Sequence, residues 1–328
     1  MQSKRVGVLM GGSSAERETS LRSGRAVALA LEESGREVVR IELNGHRDPA
    51  DAIRKAGIDA AFIAHRGSFG EDGCVQGLLE LLRIPYTGSG VLESALAMDK
   101  LKSKELFRLH NVPTPAYYVY RGVNDCDAIL DVHGSFGFPA VVKPRRASLG
   151  LGARCATDAS ALVALIGRAS GPGHEVLVER WVRGIEITVG VLNGRVLGAC
   201  ETARCDGVSD ARRDQLAPAR MTPALYNNVL CLAERAMDAI GATGAVTVRM
   251  LLTDTQNEFV LEVDPLPSLV PNDLFASMAT AAGYGFVELC EAILGAARLH
   301  LQVHASERKA EIVPIARNEE YSLKAVAG

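Results

Sequence analysis

GFPAVVKPRRASLGLG, residues 137–152, passes from an apolar strand into a basic, glycine-bearing loop. Ala140–Val142 is a short β-branched run of the kind that makes a buried strand. It delivers Lys143 and then the loop Pro144–Gly152. A lysine held at a strand end beside small residues suits a polyanion, because backbone N–H groups can approach phosphate oxygens while the ammonium neutralises charge. The order is not that of a P-loop, since the lysine precedes the glycines. A hairpin turn on a basic surface would read the same way, so the weight of this stretch comes from its flanks.

The chain has 328 residues, enough for two or three domains with a large core. With 48% hydrophobic and 23% charged residues it has the composition of an ordinary globular protein. A net charge of −3 carries no signature of nucleic-acid or membrane-surface binding. No apolar run reaches the length of a membrane span, and Met1–Met10 reads as a strand rather than a signal peptide. Seven cysteines are scattered singly, without CxxC, which points to reduced thiols, a cytoplasmic setting and no zinc site.

Upstream, the pattern is α/β. Val6–Met10 is an apolar strand running into Gly11-Gly12-Ser13-Ser14-Ala15-Glu16, and a helix is predicted over Ser20–Glu33. Strand, glycine turn and helix put a helix N-terminus over the carboxyl edge of a sheet, where ligands collect. The turn reads equally as a plain βα connection, and Glu16 as a solvated carboxylate favoured by the helix dipole. Strands at Val38–Leu43 and Ala60–Ala64 follow, then the loop His65–Gly73, a helix over Cys74–Leu82 and a helix over Leu92–His110.

Beyond Pro113 and Pro115, strands are predicted at Tyr117–Tyr120 and Glu175–Glu179, with helices at Cys126–Val132 and Ala159–Ala169. In the last third, Thr247 and Arg249 share one face of the strand Ala245–Leu251, and Glu262 and Asp264 one face of Glu258–Asp264. Two carboxylates on one strand face suit Mg²⁺ beside nucleotide phosphates, or else form the solvent side of a half-buried strand. Helices Leu225–Ile240 and Ala276–Leu294 pack on this sheet through Leu, Met and Ala stripes. Past Leu299, Ile312–Ile315 could add an edge strand, and Arg317–Gly328 reads as a flexible end.

MGGSSAERETSLRSG (residues 10–24), HRGSFGEDGCVQGLLELLRIPYTGSG (65–90) and SALAMDKLKSK (94–104) resemble, nearly position for position, the D-alanine–D-alanine ligases of the ATP-grasp superfamily. The resemblance covers residues 4–120 strongly and continues less closely to about residue 300. It implies an ATP-grasp fold of three α/β domains, with a nucleotide between two β-layers: a Rossmann-like domain at 1–93, a central lid at 94–187, a catalytic domain at 188–315 and a tail at 316–328. It implies ATP and Mg²⁺ as cofactors, D-alanine or an analogue as substrate, a dipeptide for peptidoglycan as product, and a homodimer. Carried over residue by residue, Glu16 holds the ammonium of the first D-alanine and Lys100 and Lys143 contact ATP phosphates. Glu179 and Val182 face the adenine, with Trp181 between them as packing, and Glu186 takes the ribose. Glu262 and Asp264 hold the metal.

The resemblance also marks departures. The family's loop Ser-Arg-Glu-Gly-Ser-Ser-Val-Gly becomes Arg145–Gly152, so a catalytic serine falls on Leu149, with Ser148 next to it. The family's first metal carboxylate falls on Arg249, its oxyanion-stabilising arginine on Thr247, and the serine receiving the second D-alanine on Asp273. A Lys-Tyr loop is replaced by Glu201–Arg220, which has no lysine and no tyrosine. Arg249 beside Glu262 and Asp264 is expected to pair with carboxylates and compete with metal. Two readings stay open: a ligase, of ancestral or altered specificity, and a nucleotide-binding relative without ligation.

Overall fold

The computed structural model describes residues 5–43, 48–121, 126–147, 152–169, 175–204 and 221–301. Ser148, Leu149, most of the loop Glu201–Arg220 and the segment after residue 301 therefore lie outside the described residues. Three sheets organise the rest. The first is parallel: β1 (Arg5–Met10) lies between β2 (Glu37–Glu42) and β3 (Ala60–Ile63). The helix α1 (Arg17–Glu33) begins three residues earlier than its periodicity suggests, directly after Glu16, and covers one face. The other face is covered by α2 (Pro49–Ala56) and α3 (Cys74–Leu82), with Leu9, Ile53, Ile63 and Leu79 in the core between.

The predicted helix Leu92–His110 is two helices, α4 (Val91–Met98) and α5 (Lys100–Leu109). Asp99 breaks them. Its backbone is extended, and its carboxylate accepts the Lys102 N–H, which caps the second helix and turns Lys100 out of line with the first. The second sheet is antiparallel, built from β4 (Tyr117–Tyr120), β5 (Ala140–Pro144), β6 (Arg154–Ala156) and β7 (Val176–Arg180) in the order β4-β7-β5-β6. Helices α6 (Cys126–His133) and α7 (Ala159–Ala169) bury Ile129, Leu162 and Ile166 on its outer face.

The third sheet orders β8 (Ile185–Leu192), β9 (Arg195–Arg204), β10 (Ala245–Leu252) and β11 (Glu258–Asp264) as β11-β10-β8-β9, all antiparallel. Helix α8 (Pro223–Ile240) is capped by Thr222 and ended by the left-handed Gly241, and it packs on this sheet together with Phe107 of α5. The predicted helix Ala276–Leu294 is also two, α9 (Leu274–Ala281) and α10 (Phe286–Gly295). Gly283, at φ +93°, and the extended Gly285 separate them. These helices share a core with α1 and β1, so the first and third sheets are joined by one hydrophobic cluster. Gly244 and Gly88 make the same junction tight: a Cβ on Gly244 would lie 2.9 Å from the Gly88 Cα.

Candidate active site

Six elements bring charge into the space between the second and third sheets. Strand β5 supplies Lys143, β7 supplies Glu179, and the first turns of α5 supply Lys100 and Lys104. From the third sheet, β11 contributes Glu262 and Asp264, β10 Thr247 and Arg249, and β8 Glu186. Register explains the meeting: Arg249 lies opposite Glu262, and Thr247 opposite Asp264. Glu186 pairs with Leu251, two residues from Arg249, so both side chains share one face as diagonal neighbours. All are buried, with Lys104 at 1% exposure and Glu179 at 2%. Reading Glu262 and Asp264 as a solvent face is thereby excluded.

The charges are paired within the chain. Glu179 receives Lys143 at 2.9 Å on one oxygen and Lys104 at 3.1 Å on the other. Lys104 also donates to the Thr114 hydroxyl. Glu262 faces Lys143 at 3.6 Å, Lys100 at 3.9 Å and Arg249 at 3.7 Å. Arg249 donates to Glu186 from Nη2 at 2.6 Å and from Nε at 2.8 Å. Burial works against the Lys143 charge, but Glu179 and Glu262 outweigh it and hold the ammonium above its ordinary value. For Lys104 burial wins despite Glu179, with Lys143 adding repulsion, and its value falls. Burial raises Glu179, yet Lys104 and Lys143 overcome it and leave the carboxyl below the usual range.

A second cluster lies toward the first sheet. Arg66, from the loop after β3, reaches Glu71 at 3.0 Å, Glu16 at 3.3 Å and Asp264 at 3.4 Å, and donates to the Leu266 carbonyl. Burial opposes its charge, but the three carboxylates raise it further above the usual arginine value. Glu16 is therefore no solvated first-turn carboxylate: its side chain is 13% exposed, and one of its oxygens is buried without a hydrogen bond. Ser20 fastens this loop to the glycine turn. Its hydroxyl accepts Gly11 N–H at 2.9 Å and Arg66 N–H at 3.2 Å, and donates to the Ala64 carbonyl at 2.9 Å. The site is thus split by sign: four cations face three carboxylates at Glu179, Glu186 and Glu262, while Arg66 alone faces three.

The basic loop after Lys143 differs from its sequence reading. Arg145 grips Asp99 with two hydrogen bonds of 2.8 and 2.7 Å and also pairs with Glu175, and Arg146 adds to Asp99 at 3.4 Å. The arginines anchor the loop to α5 instead of offering free charge to a phosphate. Lys100 donates to the Ala147 carbonyl in the same junction. Trp181 and Val182 follow β7 and are half-buried, with the Trp181 backbone N–H donating to the Pro139 carbonyl at 3.3 Å. Asp273 stands at the N-terminus of α9 and accepts the Ser268 hydroxyl at 2.8 Å. Sequence reasoning missed Lys104, although its spacing of four from Lys100 puts both on one helix face. It also missed Arg66, for which no local pattern announces burial.

The chain matches two family models, the D-ala D-ala ligase N-terminus over residues 43–89 and the D-ala D-ala ligase C-terminus over residues 110–295. It is 41% identical over 307 residues to the D-alanine–D-alanine ligase of Syntrophotalea carbinolica, covering 91% of this chain and 98% of that one. The chain belongs to the D-alanine–D-alanine ligase family. The ligase of Desulforudis audaxviator is 42% identical over 299 residues, covering 88% and 96% of the two chains. Among solved structures, D-alanine–D-alanine ligase from Bacillus anthracis complexed with ATP superposes with a TM-score of 0.76 at 29% identity, covering 89% of this chain and 96% of that one. The fold is accordingly ATP-grasp, and the family's members use ATP.

Two ligands implied by this family fare differently against the donor set. Three buried ammonium groups converging between two sheets fit a polyphosphate, and each of them is now paired with a carboxylate of the chain. A resident Mg²⁺ does not fit. Asp264 accepts Leu266 N–H on one oxygen and faces Arg66 on the other, while Glu262 faces three cations. Among the described residues, no group of three His, Cys, Asp or Glu side chains is arranged to hold a metal. At an effective dielectric of about 20, a dication about 5 Å from one guanidinium is repelled by roughly 6–7 kcal/mol.

Proposed function

We propose that this chain binds ATP between the second and third sheets and acts as an ATP-dependent carboxylate–amine ligase, joining D-alanine or a close analogue into a dipeptide for peptidoglycan precursors. The observation that carries this is the convergence of the Lys100, Lys104 and Lys143 ammonium groups beside Glu179 and Glu262 in a family whose members are ligases of this kind. In this reading Lys100 and Lys143 turn from their carboxylates to the phosphates. Transfer of the terminal phosphoryl to a substrate carboxylate gives an acyl phosphate, which an amine attacks, releasing phosphate. Glu179, Trp181 and Val182 line the base, Glu186 takes the ribose while it stays paired with Arg249, and Glu16 receives the substrate ammonium at the carboxylate-rich end of the site. Ser148 would supply a hydroxyl near the reacting centre. The protein works in the cytoplasm as a homodimer.

Arg249, Thr247 and Asp273 favour a second reading, a nucleotide-binding relative that has lost ligation. Loss of one oxyanion donor alone costs about 10²–10³ in rate. Incubation with ATP and a panel of D-alanine, D-serine and D-lactate, with and without Mg²⁺, separates the two. Release of ADP and phosphate with a dipeptide or depsipeptide product supports the ligase. Bound nucleotide without product across the panel overturns it in favour of the second reading.

A further inference from the structure

We propose that the guanidinium groups of Arg249 and Arg66 take the place of a divalent cation on the Glu262–Asp264 pair, so that this crevice receives a nucleoside polyphosphate as a metal-free anion. The inference rests on the nucleotide reading above and assigns its counter-charge. Glu262 and Asp264 alternate along β11 onto one face, the arrangement that would serve a metal. Each is instead met by an arginine from a different segment. Arg249 comes from the neighbouring strand, directly opposite Glu262, with Nη1 3.7 Å from it. Arg66 comes from the loop after β3, with Nη2 3.4 Å from Asp264.

Both arginines are fixed from behind as well as in front. Arg249 spends Nε and Nη2 on Glu186, which leaves Nη1 directed at Glu262. Arg66 is held by Glu16, Glu71 and the Leu266 carbonyl. A guanidinium stays charged at any working pH and presents several N–H donors in a plane, so it can bridge carboxylate and phosphate oxygens at once. A metal would do the same through shorter bonds, but it would have to displace a buried arginine from its ion pairs. With Lys100, Lys104 and Lys143, Arg249 leaves the lysine end of the site with more cations than carboxylates. An arriving polyphosphate then meets a positive site without bringing its own cation.

Two titrations on the full chain test this. In the first, Mn²⁺ is added to nucleotide-free protein and followed by electron paramagnetic resonance. Wild type is expected to bind no Mn²⁺ at this site, whereas Arg249→Asp gains one equivalent. Wild type binding one equivalent that Glu262→Gln abolishes overturns the proposal. In the second, calorimetry measures ATP affinity in EDTA and in Mg²⁺. Wild type is expected to bind equally well in both, within about threefold, while Arg249→Asp gains about tenfold or more from Mg²⁺. Wild-type binding that requires Mg²⁺ overturns the proposal. Should Arg249→Asp fail to fold, both wild-type measurements still decide it. Absence of ATP binding in either buffer overturns the nucleotide reading and the metal-free anion with it, while the Mn²⁺ titration separately decides whether the arginines displace the metal.

Discussion

Arg249 and Glu186 are joined across two neighbouring strands by hydrogen bonds of 2.6 and 2.8 Å to a single carboxylate oxygen, both side chains being nearly sealed from water. Removing one partner leaves a buried charge without its nearest counter-charge. Glu186→Ala is therefore expected to lower the unfolding free energy by about 3–5 kcal/mol in urea titrations. The double variant Arg249→Met with Glu186→Leu recovers most of that loss, because no isolated charge remains. A double variant as unstable as Glu186→Ala would show that packing, and not charge, sets the cost.

Lys143 and Lys104 share Glu179 but differ in what else holds them. Lys104 is also bonded to Thr114, whereas Lys143 also faces Glu262 on the third sheet. Lys143→Met should weaken ATP binding about 10–100-fold, the worth of one charge-assisted contact. Lys104→Met should cost stability first and affinity less. Calorimetry and urea unfolding on the same two variants check the division, and equal losses of affinity would refute it.

Gly244 and Gly283 both have left-handed φ, +84° and +93°, yet they differ in surroundings. A Cβ on Gly283 meets nothing within 4 Å, while one on Gly244 is driven into the backbone of Gly88. Gly283→Ala should cost about 1 kcal/mol, the conformational penalty alone. Gly244→Ala should cost clearly more, about 3 kcal/mol, because the junction between the first and third sheets must open. The difference between their melting temperatures measures the clash.

His65, His133 and His300 are each held below the ordinary histidine value by burial, with Arg298 adding repulsion at His300. The folded protein refuses protons that the unfolded chain accepts once the pH falls below 6.5. Stability is thus fully present above that value and declines as the pH drops through it, by about 1.4 kcal/mol for each unit separating folded and unfolded values. Glu179 stays ionised in this window and adds no slope. Urea midpoints at about pH 7.5 and about pH 5.5 should differ in wild type and converge in the triple variant His65→Asn, His133→Asn, His300→Asn.

The sequence by itself determined the family and many of the elements. Strands such as Tyr117–Tyr120 and Glu258–Asp264, and helices such as Cys74–Leu82, have the bounds their apolar periods predict, because local burial pattern and turn residues agree there. Glu262 and Asp264 were legible as candidate site residues because strand alternation puts them on one face, Lys143 because it ends a strand before a glycine-bearing loop, and Glu179 only through the family resemblance. Two helix breaks were not read from the apolar period, which runs on across them: Asp99 caps the second helix by accepting the Lys102 N–H, and Gly283 and Gly285 leave the helical backbone. Apart from Arg249 beside Glu262, the charge pairing was decided by the tertiary structure. Nothing local tells that Arg145 is spent on Asp99, or that Arg66 meets a carboxylate 198 residues away. Coulomb interactions follow distance in space, and in a buried site the nearest opposite charge comes from whichever strand or loop the packing brings alongside.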